Sequence, residues 1–415
     1  MSSNLPDLPP QTTTIQGRSP MGFTEFVGFI AACMALNALA IDVMLPTLPL
    51  LTADFSLADA NQSQSVIAVY LLGMGASQLF YGPLSDRFGR RPVLIGGLIL
   101  FAVAGLLSTL ATSFSALLAA RLLQGIGAGA PRVVAISLAR DKYSGAQMGR
   151  VMSLAMMVFM AVPILAPSIG QLILLVAPWR WVFAALVIAG AAVLAWALLR
   201  LEESLQQAHR RPISARSILS AYRHTLGSRI AAGYMLALGL IMGAHMGFIT
   251  SAQQIFVDVF DAGRSFTVLF AIVALSMAVA AFTNSRLVHR FGMRRLSLVG
   301  LSAMLVLNLA HLALAMAGHE SLLAFMLLQG GSVFIFGFLA SNLNTLAMEP
   351  MGHIAGTASS MIGFCTTVGG ALIGLGIGQL FDGSVAPLLA AYVVLALIAL
   401  VITVYTERPT KPDAC

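Results

Sequence analysis

The sequence predicts an all-α membrane protein with twelve transmembrane helices, divided six and six into two related halves. Three observations predict it. The chain of 415 residues is 58% hydrophobic and only 9% charged, with a mean hydropathy of +0.90. Too few polar residues remain to cover that much apolar surface in water. Apolar runs of the roughly 20 residues a helix needs to cross a bilayer recur along the whole chain. Finally, the charged stretch Gly82-Pro-Leu-Ser-Asp86-Arg87-Phe88-Gly89-Arg90-Arg91 returns in weaker form about half a chain later. There Arg290, Phe291, Gly292 and Arg294 stand in the places of Arg87, Phe88, Gly89 and Arg91.

The elements follow in order. Residues 1–21 are rich in Pro, Ser, Thr and Gln and read as a disordered tail. The next run, 22–51, is too long for the apolar region of a signal peptide and lacks a small-residue cleavage pattern, so it is the first span. Further spans are predicted at 62–84, 92–112, 115–139, 147–176 and 180–201. After a long connection, 202–228, come 229–258, 265–285, 295–317, 321–347, 354–380 and 384–405, with a second tail at 406–415. The halves are therefore 22–201 and 229–405. The connection carries Glu202, Glu203, Arg210, Arg211, Arg216 and Arg223, with Ile213, Ile218, Leu219 and Tyr222 between them. That pattern suits either an amphipathic helix on the membrane surface or a solvated linker whose charges fix topology.

Charge sets the orientation and excludes nucleic acid as a partner. The net charge is +7, but the basic residues sit in short turns between apolar runs rather than on one face. With the N-terminus inside, only Arg180 and Arg264 fall on outer turns, and Arg121 and Arg132 fall within a span. The remaining Lys and Arg lie on inner turns and tails, which satisfies the positive-inside rule with both termini cytoplasmic. Cys33 and Cys365 lie in apolar runs and Cys415 is the last residue. They make neither a disulfide framework nor a metal site.

Ionisable groups inside the membrane are costly and mark function. Most Asp and Glu lie at helix ends or in turns. Asp42 is the exception, inside the first span with Ala38, Leu39 and Leu45 on its face. Burial disfavours the charged form of a carboxyl group, so Asp42 is the candidate proton carrier, with a purely structural carboxylate as the competing reading. Arg121 is the matching positive group, and Gln124 at i+3 shares its face. Arg132, nearly three turns further on, points a similar way and either draws anionic groups or approaches the inner interface. In the second half His245, Phe248, Ala252 and Phe256 share one helix face, with Gln253 nearby. His245 could titrate or simply pack, and Asn342 and Asn344 carry the same alternatives. The 21 Met and 23 Phe supply adaptable apolar surface.

The turn from Gly82 to Arg91 resembles the signature loop between the second and third helices of the major facilitator superfamily. Leu45-Pro46-Thr47-Leu48-Pro49, Arg121-Leu-Leu-Gln124-Gly125-Ile-Gly127, Pro163-Ile-Leu-Ala-Pro167-Ser-Ile-Gly170 and Arg140-Asp141 resemble its proton-driven drug-efflux branch, closest to the bicyclomycin/chloramphenicol-resistance (Bcr/CflA) group. The resemblance implies two pseudo-symmetric six-helix bundles that alternate access around a central cavity. It implies proton coupling by Asp42 and Arg121, and gating by the loop residues Gly82, Asp86, Arg87, Gly89, Arg90 and Arg91. It also implies an antiporter motif at Pro163, Pro167 and Gly170, kinked by its prolines and sealing the cavity. Asp42, Gln124, Arg132, His245, Phe248 and Gln253 are the expected cavity residues. Two departures stand out: Gln171 replaces a second glycine, and His289 replaces Asp86, removing the carboxylate a second-half charge relay would use.

Other classes fit less well. There is no phosphate-binding loop for an ATP-driven pump and no His, Asp or Cys cluster for a membrane enzyme. A channel would not need the two-halved design. The sequence is therefore read as a monomeric, cofactor-free, proton-gradient-driven antiporter of the bacterial inner membrane, exporting small amphipathic or cationic compounds. A dedicated exporter of one sugar, amino acid or siderophore is the rival, and a non-transporting sensor the remote one.

Overall fold

Twelve apolar helices cross the computed structural model, which describes residues 21–205, 207 and 215–408. Most of the two predicted tails, together with Arg210, Arg211, Ile213 and Cys415, lie outside the described residues.

In the first half, α1 (Phe23–Asp42) and the short α2 (Leu48–Asp54) form the first span. They are followed by α3 (Ser65–Phe88), α4 (Arg90–Thr109), α5 (Phe114–Lys142), α6 (Gly145–Val176) and α7 (Arg180–Arg200). A connecting helix, α8 (Ala215–Gly227), leads to the second half. That half comprises α9 (Arg229–Gln254), α10 (Phe266–Phe291), α11 (Met293–Met316), α12 (Leu322–Met348), α13 (Ala355–Gln379) and α14 (Ala386–Glu407). Serine hydroxyls mark three of the starts: Ser113, Ser228 and Ser321 each accept the N–H of the residue three positions on, satisfying a donor the helix cannot.

The predicted spans hold as elements, and their edges move. The fourth reaches Lys142 and the fifth begins at Gly145, so Arg140, Lys142 and Arg150 ride on helices rather than in a turn. The first is not one helix but breaks after Asp42, and the seventh ends in a π turn, Ile255–Val259. The charged "loop" shrinks furthest. Gly82 to Phe88 is the last part of α3, Arg90 opens α4, and only Gly89 lies between them. Its φ of 104° is a conformation that costs glycine least, and Gly292 repeats it with φ 76° between α10 and α11.

One buried cluster runs from the first half into the second, joining Phe29, Tyr70 and Phe183 with Phe248, Phe325 and Tyr392, and a further cluster lies within the second half. The halves meet along two seams, α3 against α13 and α6 against α10. Under the internal repeat α3 corresponds to α10 and α6 to α13, so each seam maps onto the other. The outer surface is apolar: Leu172, Leu175, Val176, Leu323 and Leu327 are exposed, as a lipid-facing belt requires. Along the α3–α13 seam a side chain at Gly75 would press on Val368, and one at Gly82 on Ser360.

Candidate functional site

The break in the first span creates the site. Pro46 has no N–H to give the carbonyl of Asp42 four residues back, and Pro49 has none for Leu45. Helix α1 therefore stops at Asp42, and the chain passes through a 3-10 turn, Leu45–Thr47, into α2. Asp42 is only 4% exposed, against buried Ala38 and Leu45. Among the described residues its carboxylate has no hydrogen bond or ion pair. Leaving a buried carboxylate ionised and unpaired is expensive. Helix α6 presses on the same break: a Cβ at Gly170 would collide with the Val43 carbonyl and stand 3.0 Å from the Pro46 ring. Pro163 and Pro167 lie inside α6, which remains helical through both.

Arg121 is fully buried and tied to three helices. Its Nη2 donates to the Ala40 carbonyl of α1 at 2.9 Å, its Nε to the Val66 carbonyl of α3 at 3.2 Å, and its Nη1 to Gln124 Oε1 at 2.7 Å. The guanidinium also lies over the Tyr70 ring, 4.4 Å from its centre. Asp42 and Arg121 are thus neighbours through the α1 backbone, and no ion pair joins them among the described residues. Near this cation the Tyr70 hydroxyl and Gln124 Nε2 are buried without a hydrogen-bond partner, as is Asn37 Oδ1 on α1. Such open valences are uncommon in a finished core. Close packing makes the arrangement possible: a Cβ at Gly125 would collide with the Tyr70 carbonyl. Arg132 is half-buried and unpaired among the described residues.

At the basic face, Arg90 is the hub. It bonds Asp86 at 2.5 Å, Asp141 of α5 at 3.0 Å and the Ser85 hydroxyl at 2.6 Å. Glu203, just past α7, accepts the N–H groups of Arg90 at 2.9 Å and Arg91 at 3.2 Å. The carboxylate thereby caps α4 and meets the positive end of its dipole. Arg91 reaches the Leu198 carbonyl, and Arg87 lies over Phe88. Replacement of Asp86 by His289 does not abolish a counterpart. Arg294 pairs with Glu349 at 3.0 Å and Glu407 at 3.6 Å, and Tyr234 donates to Glu407. In both halves an arginine opening the third helix thus meets acids at the ends of the fourth and sixth. The expectation of a missing second relay is corrected: the arginine is shifted and its partners come from other helices.

The second-half candidates separate. The His245 ring stacks on Phe336, 4.0 Å between centres, with Nδ1 unpartnered. Phe248 packs into the aromatic core against Phe270 and Phe325. Asn342 makes two 3.0 Å bonds with Asn284, whereas Asn344 is exposed. Gln253 is buried, but its neighbour Gln254 does the bridging. At the face opposite the basic loops, Gln254 accepts from Gln64 at 2.5 Å and donates to Asn61 Oδ1 at 2.7 Å. Gln379 donates to the Asn61 carbonyl at 2.6 Å, and Asn61 Nδ2 to the Phe381 carbonyl at 3.0 Å. These four amides, buried except for the exposed Gln379, stitch the 3-10 turn Ala60–Gln64 that leads into α3 to α9 and α13 across the halves, and sequence reasoning missed them.

Comparison with known proteins places this geometry. A family profile described as "Major Facilitator Superfamily" matches residues 30–374. The chain is 30% identical over 366 residues to "Uncharacterized MFS-type transporter YdgK" of Bacillus subtilis, covering 86% of this chain and 88% of the relative. It is 27% identical to "Bicyclomycin resistance protein homolog" of Haemophilus influenzae, covering 90% and 94%. It is 31% identical to "Multidrug resistance protein MdtL" of Escherichia coli K12, covering 82% and 85%. Among solved structures, the D-xylose-proton symporter superposes with a TM-score of 0.74 at 16% identity, covering 91% of this chain and 97% of the other. The human organic anion transporter MFSD10 gives 0.64 at 19%, covering 92% and 100%. Those two likenesses speak to the fold.

Proposed function

We propose, on the premise that this chain belongs to the Major Facilitator Superfamily of membrane transporters, that it exports small amphipathic or cationic compounds in exchange for protons. The observation that carries the proposal is Asp42: a buried carboxylate without a partner, at a helix break that a second helix presses on. Such a group binds a proton when shielded and loses it when water or a cationic substrate reaches it. Relatives named for bicyclomycin and multidrug resistance support export of drug-like compounds.

The halves, 22–201 and 229–405, rock about the two seams. The amide set closes the face opposite the basic loops in this arrangement, so the site would next open there. Arg121 holds α1, α3 and α5 at fixed distances while Asp42 changes exposure. The Arg90 and Arg294 clusters brace the basic face of each half. The distribution of Lys and Arg supports the reading that this face and both termini are on the cytoplasmic side of a bacterial inner membrane. The carrier works as a monomer, without a cofactor, on the proton gradient alone.

The test is gradient-driven export from proteoliposomes by wild type and Asp42→Asn. The variant should insert and fold but show no response to an imposed proton gradient; normal gradient-driven export would refute the assignment. Run across a compound panel, loss for one compound alone would instead point to a dedicated exporter.

A further inference from the structure

Helix α8, which connects the halves, is docked in one register. Pro83, inside α3, has no N–H to give the Leu79 carbonyl four residues back. The hydroxyl of Tyr222 donates to that carbonyl instead, at 3.0 Å. Thr225, one turn on, is fully buried, and α8 packs on α9 and α13. The bond fixes depth as well as direction. Leu79 lies within the second apolar run, 62–84, and its neighbour Phe80 is 64% exposed, as a lipid-facing residue is. A tyrosine reaches only one side-chain length from its own helix, so α8 lies at the edge of the apolar belt.

With Tyr222 and Thr225 turned inward, Arg216, Leu219, Arg223 and Leu226 make an exposed stripe, at spacings that keep them on one side of a helix. Leu219 and Leu226 are 59% and 47% exposed. Neither arginine has a hydrogen bond or ion pair among the described residues. Elsewhere on the basic face Arg90, Arg200 and Arg294 are each matched by an acid of the fold. Around α8 the sequence supplies none: residues 204–257 hold Arg210, Arg211, Arg216, Arg223 and Arg229 but no Asp or Glu. Glu349, in the 3-10 turn beside α8, is already paired with Arg294.

We propose that α8 is a docking surface for anionic phospholipids of the leaflet at the basic face. Leu219 and Leu226 enter the boundary of the acyl chains, and Arg216 and Arg223 take the lipid phosphates. A zwitterionic headgroup offers the same phosphate but carries a cation that offsets it, so the preference is for lipids of net negative charge. A soluble anion would leave the leucines in water, where their area gains nothing. A symmetric contact with a second copy of the chain would set arginine against arginine. The inference rests on α8 and not on proton exchange at Asp42.

The experiment places a bimane on Ser220→Cys, an exposed position one turn from each arginine, in the cysteine-free full-length protein. The protein is reconstituted into phosphatidylcholine vesicles that contain a small fraction of phosphatidylglycerol or phosphatidylcholine with a nitroxide high on the acyl chain. At low salt, quenching by the glycerol lipid should exceed quenching by the choline lipid by about fivefold, and added salt should lower the ratio. Arg216→Gln with Arg223→Gln should bring the ratio close to one. Leu219→Ser with Leu226→Ser should weaken quenching by both lipids, because the helix loses its apolar hold. Equal quenching by the two lipids in the parent, or a ratio unchanged by the double glutamine variant, overturns the proposal. So does the absence of quenching by either lipid, which would turn the stripe toward water or another protein. Glycerol phosphate in solution, at ionic strength matched with chloride, should leave the ratio in place; abolishing it would mark a site for soluble anions and overturn the lipid assignment. Asp42→Asn should leave the ratio unchanged, so failure of this proposal and failure of the transport reading are distinguishable.

Discussion

Replacing Gln254 by leucine should open the face opposite the basic loops. In the closed arrangement Gln254 is 7% exposed and serves both Gln64 Nε2 and Asn61 Oδ1. Leucine fills similar space but leaves both amides buried without that partner, and each orphaned group costs about 1–3 kcal/mol. In the open arrangement water satisfies them, so the penalty falls on the closed form alone. Allowing for the apolar gain of the leucine, the equilibrium should move by about 2–4 kcal/mol, roughly 30- to 700-fold at 1.4 kcal/mol per decade. The assay is maleimide labelling of Ser63→Cys, a position 3% exposed beside Gln64, in a cysteine-free background. The labelling rate should rise by that factor. Adding Gln64→Leu should recover part of it, because removing both partners leaves fewer orphans. A rate within twofold of the parent would refute the reasoning that these amides hold the face shut.

Two further predictions concern the arginines. Arg121→Lys keeps a charge but cannot reach the Ala40 and Val66 carbonyls and Gln124 together. Orphaning one of those buried acceptors should destabilise the first half by about 1–3 kcal/mol, seen as a lower unfolding midpoint in detergent, and a midpoint equal to wild type would contradict the tie. Arg90→Ala should slow turnover while leaving equilibrium substrate binding intact, because the hub braces the basic face and lies outside the Asp42 site. Transport and binding measured on one preparation separate the two, and lost binding with an intact cycle would count against it.

The spans were legible because a bilayer imposes one length on every apolar run, whatever the residues inside it. The break after Asp42 was written in Pro46 and Pro49, but a run of apolar residues reads as one span unless each missing N–H is traced to its carbonyl. Partners were harder. Asp141, Glu203, Glu349 and Glu407 stand at helix ends, where acids ordinarily face water, and only the fold brings them to Arg90 and Arg294. Gln253 and Gln254 show the limit on a helix. Adjacent residues point about 100° apart, so choosing between them requires knowing which face meets the other half. The relation of Arg121 to Asp42 was visible as two charges in an apolar setting. That the arginine would grip the Ala40 carbonyl instead of the carboxylate depends on small residues letting α1, α3 and α5 approach.

Proton release on substrate binding tests the central claim most directly. Purified wild-type protein in weakly buffered detergent, mixed with a compound it exports, should release protons into solution. Asp42→Asn, folded by the same unfolding criterion, should release none. Equal release from the two proteins would contradict the assignment of the transported proton to Asp42.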